Sequence, residues 1–136
     1  VVAFDTLEQA CEGADIVCTV TAAREPFLGA GHIAEGCHIN LVGSSGPATA
    51  EALPDLVAKG LFIGDHREHV LVHGGEFLRA KAEGLVDDSH FACEIGEVFA
   101  GHHKGRTDTR QITIYKSLGH ATQDLACAAW LMSGQR

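Results

Sequence analysis

The sequence lacks the features of several protein classes. Its five cysteines are odd in number and form no CxxC pair, which argues against a disulfide framework and a zinc knuckle. The net charge is −8, and no basic cluster offers a surface for nucleic acid. Apolar runs stay short of the roughly 20 residues of a membrane-spanning helix, and no secretory signal precedes the first apolar segment. We therefore predict a cytoplasmic protein with neither a nucleic-acid nor a membrane partner.

The residues that are present predict a single α/β domain over residues 1–136. A hydrophobic content of 46% suffices for one buried core. Short, β-branched apolar runs are typical of strands covered on both faces of a parallel sheet. The predicted strands are residues 1–4, 16–21, 38–42, 61–63 and 112–115. The predicted helices are residues 6–13, 48–59, 66–73, 76–83, 90–100 and a long C-terminal helix over 120–132.

Small or polar residues follow most of the predicted strands. In parallel α/β sheets, ligands bind outside the carboxyl ends of the strands, where such residues let backbone amides approach closely. The residues concerned are Thr19, Thr21, 43–46, 64–65 and 117–119. The stretch GSSG at 43–46 matches neither a nucleophile elbow nor a phosphate loop, so it is either a plain turn or part of a ligand platform.

Three histidines on the helix predicted over residues 66–73 suggest two interpretations. His66, His69 and His73 have spacings that could place imidazoles on one helical face, as in a metal site. No carboxylate stands at a defined ligand spacing beside them, which favours a solvated helix face. We predict no metal site.

Five segments together resemble the ornithine cyclodeaminase and mu-crystallin family. They are EGADIVCTVTAAREPFL (12–28), GCHINLVGSSGPATAEAL (36–53), GEFLRAKAEGL (75–85), EIGEVFAGHHKGRT (94–107) and ITIYKSLGHATQDLACAA (112–129). The resemblance implies a Rossmann domain that binds NAD or NADP. It also implies a homodimer and a reaction that passes hydride to or from the carbon of an amino or imino acid.

The resemblance also implies roles for particular residues. Ser45 stands at the catalytic position, where cyclodeaminases carry an aspartate and mu-crystallin-like members a serine. A serine supplies no carboxylate for deamination, which favours a reductase or dehydrogenase. The implied cofactor-binding residues are Thr19, Thr21, Val42, Gly43, Ser117, Leu118 and Gly119. The last three form a turn that closes over the nicotinamide.

The sequence departs from the family pattern in one important respect. No GxGxxG fingerprint occurs, and nothing matches the family's substrate domain. We therefore expect an incomplete Rossmann-like sheet with little or no catalysis as an isolated chain. The alternative is a non-enzymatic module for a small ligand or for self-assembly, and a separate polypeptide could also supply the missing part. Since the absent strands would leave bare sheet edges, we predict a homodimer through those edges.

Overall fold

The computed structural model describes residues 1–134 and has one parallel five-stranded sheet at its centre. Its strands are β1 (Ile16–Thr19), β2 (His38–Leu41), β3 (Leu61–Gly64), β4 (Phe91–Glu94) and β5 (Thr113–Lys116), in the order β1-β2-β5-β3-β4. Its helices are α1 (Leu7–Cys11), α2 (Pro54–Lys59), α3 (Arg67–His73), α4 (Gly75–Ala82), α5 (Ile95–Phe99) and α6 (Ala121–Met132). The predicted α/β class, with flanking helices and a C-terminal helix, is confirmed.

One face of the sheet carries the hydrophobic core. The strand register places Ile39 beside Ile114, and because side chains alternate along a strand, both point to this face. Both are fully buried, together with residues of α2 and α4. Phe62 of β3 packs against Phe77 of α4 with ring centroids 5.2 Å apart. This packing fixes α4 against the sheet.

The opposite face is covered only in part, although the apolar runs predicted cover on both faces. A cavity of about 530 Å³ separates the strands from α5 and α6, and it is lined by His38, Asn40, Ile95, Phe99, Tyr115 and Gln123. All twelve residues of α6 are exposed, and Trp130 keeps 55% of its surface in solvent. None of the helices within residues 1–134 has both the length and the apolar character needed to cross a membrane.

Two predicted elements at the sheet differ from the structure. Residues 1–4 form no strand, because no neighbouring strand is there to pair with them, and Phe4 is 56% exposed. Within the helix predicted over residues 90–100, residues 91–94 instead form β4. Backbone pairing of Phe91 with Phe62 of β3 favours the extended conformation over a helix. The chain turns into α5 only at Ile95, where Glu94 and Glu97 form a capping box.

The helix predicted over residues 48–59 is shorter than expected. It begins at Pro54, whose ring suits the first helical position. The preceding residues are extended because they bond to the segment before β2. Leu28 donates its amide to the Glu51 carbonyl and accepts from the Leu53 amide at 2.8 Å. This pairing brings the Glu51 side chain to the end of the sheet.

The strand order leaves β1 at one edge of the sheet, as predicted, and β4 at the other. β5 is last in the chain but lies between β2 and β3, so the final strand fills an interior position. Among residues 1–134, β1 pairs only with β2 and therefore has a free side. Ile16 and Val20 next to this side are 63% and 72% exposed.

Candidate functional site

The predicted site residues lie at one end of the sheet. Since all five strands are parallel, their carboxyl ends share one edge. Thr19 ends β1, and Thr21 lies two residues beyond it. Residues 42–46 follow β2, residues 117–119 follow β5, and Asp65 follows β3. The sequence placed these segments at strand ends, and the strand order makes those of β1, β2, β5 and β3 successive neighbours.

A buried carboxylate connects the ends of β1 and β2. Glu51 is fully buried, and its side chain accepts hydrogen bonds from Thr19 Oγ1 at 2.6 Å, the Thr21 amide at 2.6 Å and Thr21 Oγ1 at 2.8 Å. It also accepts from the Gly43 amide at 2.9 Å. Burial by itself would raise the pKa of Glu51, but these hydrogen bonds together outweigh it and lower the pKa. Glu51 therefore holds both strand ends as an ionised acceptor.

Sequence reasoning missed Glu51. It stood inside a predicted helix, where an acidic residue suggests an exposed position. The one available signal was an acidic residue in the mostly apolar stretch ATAEAL. Because their hydroxyls are occupied by Glu51, Thr19 and Thr21 shape the strand end through this carboxylate.

Gly43 is required by this arrangement. A Cβ atom at this position would lie 2.2 Å from the Thr21 carbonyl oxygen and 2.3 Å from Glu51 Oε1. No side chain fits in that space, so the backbone of β1 and the loop after β2 can approach only at a glycine. Val42, directly before it, is 45% exposed and presents an apolar surface.

The two serines of the GSSG stretch have different surroundings. Ser44 is buried, and its hydroxyl donates to Glu76 Oε1. Lys116 Nζ donates to the Ser44 carbonyl oxygen at 2.5 Å and to Ser44 Oγ at 2.7 Å. Ser45 is exposed at the surface of the loop. Of the two serines, Ser44 is engaged within the protein, whereas Ser45 is accessible from solvent.

The turn after β5 is fixed by the residue that follows β3. Asp65 Oδ2 accepts from the Leu118 amide at 2.7 Å and from the Gly119 amide at 2.9 Å. Gly119 has a φ of +84°, a conformation that glycine adopts without strain. Ser117 donates its amide to the Leu41 carbonyl at 3.0 Å, which joins the turn to β2. Residues 117–119 are thus held beside the Val42–Gly43 segment.

His66 at the start of α3 and His69 within it lie near a further histidine, His120, at the start of α6. His66 is half-buried, whereas the solvated-face prediction treated it like His69 and His73, which are exposed. The His66 ring lies 4.6 Å from that of His69 and 5.8 Å from that of His120, measured between centroids. His120 caps α6 by accepting from the Thr122 amide. Within the described part of the chain, no three His, Cys, Asp or Glu side chains are arranged to hold a metal ion.

Exposed groups of different character lie together at the strand ends. Val42 presents an exposed apolar side chain and Ser45 an exposed hydroxyl, and the 117–119 turn lies beside them. The glycine-rich fingerprint for a pyrophosphate is not in this sequence.

The sequence matches a known protein family. The model of the ornithine cyclodeaminase/mu-crystallin family matches residues 1–134. The chain belongs to this family. The resemblance stated from the five segments is therefore confirmed.

Individual relatives within the family are longer than this chain. Alanine dehydrogenase of Archaeoglobus fulgidus is 37% identical over 84% of this chain and 35% of its own length. The structure of Thermococcus litoralis Δ1-pyrroline-2-carboxylate reductase in complex with NADH and L-proline is 37% identical, with a TM-score of 0.88, over 93% of this chain and 39% of that one. An archaeal alanine dehydrogenase dimer with bound NAD is 35% identical, with a TM-score of 0.84, over 93% and 39%. The chain spans less than two-fifths of the length of these proteins.

Proposed function

We propose that this chain forms the nicotinamide side of the dinucleotide site in an NAD(P)-dependent imine reductase or amino acid dehydrogenase. The observation that carries the proposal is the Glu51 carboxylate, which brings Thr19, Thr21 and Gly43 together at one edge of the sheet. Relatives at 35–37% identity were solved with NADH or NAD at their sites, which supports the cofactor class. The proposed ligand is an amino or imino acid.

The residues at the strand ends have distinct proposed roles. The dinucleotide, when bound, donates or accepts the hydride. Val42 provides an apolar surface for the ring, and Gly43 lets this segment lie close against the Thr21 backbone. The 117–119 turn, held by Asp65, excludes water from one side. Ser45 donates or accepts a hydrogen bond at the substrate and, lacking a carboxylate, favours imine reduction over ornithine cyclisation.

The remaining parts of the proposal concern the chain as it acts in solution. We propose that it pairs with a second copy and works in the cytoplasm. β1 supports the pairing, because a bare apolar edge is a template for another strand. We expect little or no catalysis from the 136 residues alone, since the pyrophosphate fingerprint is missing from them.

A second candidate function is a non-enzymatic binding or assembly module. The exposed apolar residues of α6 and of the β1 edge favour it, because contiguous apolar surface marks interaction sites. Under this alternative, the Ser45 loop would bind a small ligand without any dinucleotide.

The decisive experiment is titration of the purified chain with NADH and NADPH, followed by nucleotide fluorescence and thermal shift. We expect binding in the micromolar to millimolar range. Val42→Asp should weaken binding at least several-fold, because it places a charge on the ring surface. Val72→Asp is the matched control, since Val72 is 59% exposed on α3. Absence of binding at millimolar nucleotide, or equal losses in both variants, would contradict the proposal and favour the module.

A further inference from the structure

Two opposite charges are buried beneath the Ser45 loop. Lys116 ends β5, and Glu76 lies in the first turn of α4; both side chains are fully buried. Lys116 Nζ lies 3.2 Å from Glu76 Oε2. Removing two charges from water is costly, and apolar residues of similar volume often stabilise a fold as well or better. The proposed hydride transfer uses neither Lys116 nor Glu76, so their burial beneath the loop requires another explanation.

The pair is attached to the loop at a single residue, Ser44. Lys116 Nζ donates to both oxygens of Ser44, and Ser44 Oγ donates to Glu76 Oε1. The same Glu76 oxygen accepts from the Glu51 amide at 3.0 Å. The ion pair therefore links the loop after β2 to the residue that joins β1 and β2.

Few other contacts define the shape of this loop. Within residues 1–134, its backbone hydrogen bonds lie at the ends: the Gly43 amide donates to the Thr19 carbonyl, and the Thr49 amide donates to the Gly46 carbonyl. The beginning of α4 packs so closely that a Cβ on Gly75 would lie 1.9 Å from the Thr49 carbonyl oxygen. Between these ends, Lys116 and Glu76 hold the buried side of the loop.

We propose that Lys116 and Glu76 are positioning residues that fix the Ser44 peptide and so orient Ser45 toward the ligand. Glu76 gives the lysine a counter-charge, and Lys116 holds the Ser44 carbonyl toward the protein interior. The next residue is thereby presented at the outer side of the loop, where it is exposed. The ligand-directed part of this inference rests on the proposed function, whereas the fixing of the loop does not.

The experiment compares the wild-type chain with Lys116→Met, Glu76→Gln and the double variant Lys116→Met/Glu76→Met. Amide order parameters of residues 44–46 are measured by NMR relaxation, and stability is measured by urea unfolding. Each single variant should lower stability by stranding one buried charge or donor, and the double variant should regain much of that loss. Loop order should nonetheless fall in all three, from about 0.85 toward 0.6 or below, while core strands stay rigid.

Lys81→Met is the matched control, because Lys81 forms an exposed ion pair with Asp88 at 2.5 Å. It should leave loop order unchanged. Glu76→Gln keeps the shape of the side chain and preserves the test if the double variant does not fold. A folded variant whose residues 44–46 remain as ordered as in the wild type would overturn the inference. If the ion pair served stability alone, the double variant would regain stability and keep residues 44–46 as ordered as in the wild type.

Nucleotide titration of the same variants separates this inference from the proposed function. If the wild type binds NADH, the NADH-saturated chain is titrated with L-proline, an amino acid of the proposed ligand class, and the double variant should bind it about tenfold more weakly at similar stability, the effect of losing one well-placed interaction of about 1.4 kcal/mol. Unchanged affinity in a loosened loop would overturn the role toward the ligand. If the wild type binds neither nucleotide, the proposed function fails, and the order parameters alone decide whether the pair positions Ser45.

Discussion

The end of the sheet and the periphery of the molecule differ in how their side chains are partnered. At the strand ends, Glu51 receives four hydrogen bonds, and Glu76 and Lys116 pair without contact to solvent. At the periphery, α6 and the free side of β1 expose leucine, tryptophan, isoleucine and valine side chains. The strand ends are held by contacts within the chain, whereas the outer surfaces have apolar groups exposed to solvent. The fold is thus more strongly specified at the candidate site than around it.

The largest expected effect comes from removing the Glu51 carboxylate. Glu51→Ala removes the acceptor of the buried Thr19 hydroxyl, of the Thr21 amide and hydroxyl and of one Gly43 hydrogen bond, and each buried group left unsatisfied costs about 1–3 kcal/mol. We expect the free energy of unfolding to fall by about 3–5 kcal/mol in urea denaturation. Glu12→Ala, at an exposed position, should change it by less than about 0.5 kcal/mol. Comparable losses in the two variants would contradict this account of Glu51.

A neighbouring pair of glycines tests the close approach of β1. Gly43→Ala should destabilise the fold by about 2–3 kcal/mol, because the new methyl group meets the Thr21 backbone, which cannot move aside. Gly46→Ala in the same loop has open space around its Cβ and should be nearly neutral. Thermal unfolding of both variants provides the measurement. If Gly43→Ala were as neutral as Gly46→Ala, the approach of the Thr21 backbone to Gly43 would be looser than the structure indicates.

The pH dependence of stability should carry the signature of Glu51. Its pKa is lowered in the folded state from an ordinary value of 4.5, so between the two pKa values the unfolded state binds more protons. Its contribution is therefore complete above about pH 4.5 and is lost as the pH falls through the folded-state pKa. The stability difference between wild type and Glu51→Gln should shrink on acidification below pH 4.5. A difference that is constant down to pH 3 would refute the assignment of the ionised form.

The smallest effect on stability, and the sharpest test of the periphery, concerns association. We expect a dimer through the β1 edge at micromolar concentration, detectable by analytical ultracentrifugation. Ile16→Lys with Val20→Lys should give a monomer, because charge blocks edge pairing. Leu125→Glu on exposed α6 should leave the dimer intact, and all these changes should alter unfolding by about 0.5 kcal/mol or less. A monodisperse wild-type monomer, or dissociation only on changing α6, would contradict edge pairing.

Sequence patterns predicted much of the fold, with errors where local and long-range signals compete. The runs at residues 16–21, 38–42, 61–63 and 112–115 became strands, since β-branched apolar residues favour a buried sheet. Residues 91–94 were predicted helical because an apolar spacing of three and four fits a helix, whereas pairing with β3 decides for a strand. The candidate loops were found from their positions after strands. Glu51, Glu76 and Lys116 were not, because most of their contacts span 25 to 72 residues and leave no local pattern.

The sequence by itself determined the α/β class, the family and the chemical character of the strand ends. These follow from local composition and order along the chain, such as the glycine and two serines after β2. Only the tertiary structure decided that β5 lies between β2 and β3, and that a lysine at its end lies beneath Ser44. Which strands become neighbours depends on how distant side chains pack into one core. Burial and charge pairing at the site therefore arise only once the sheet is assembled.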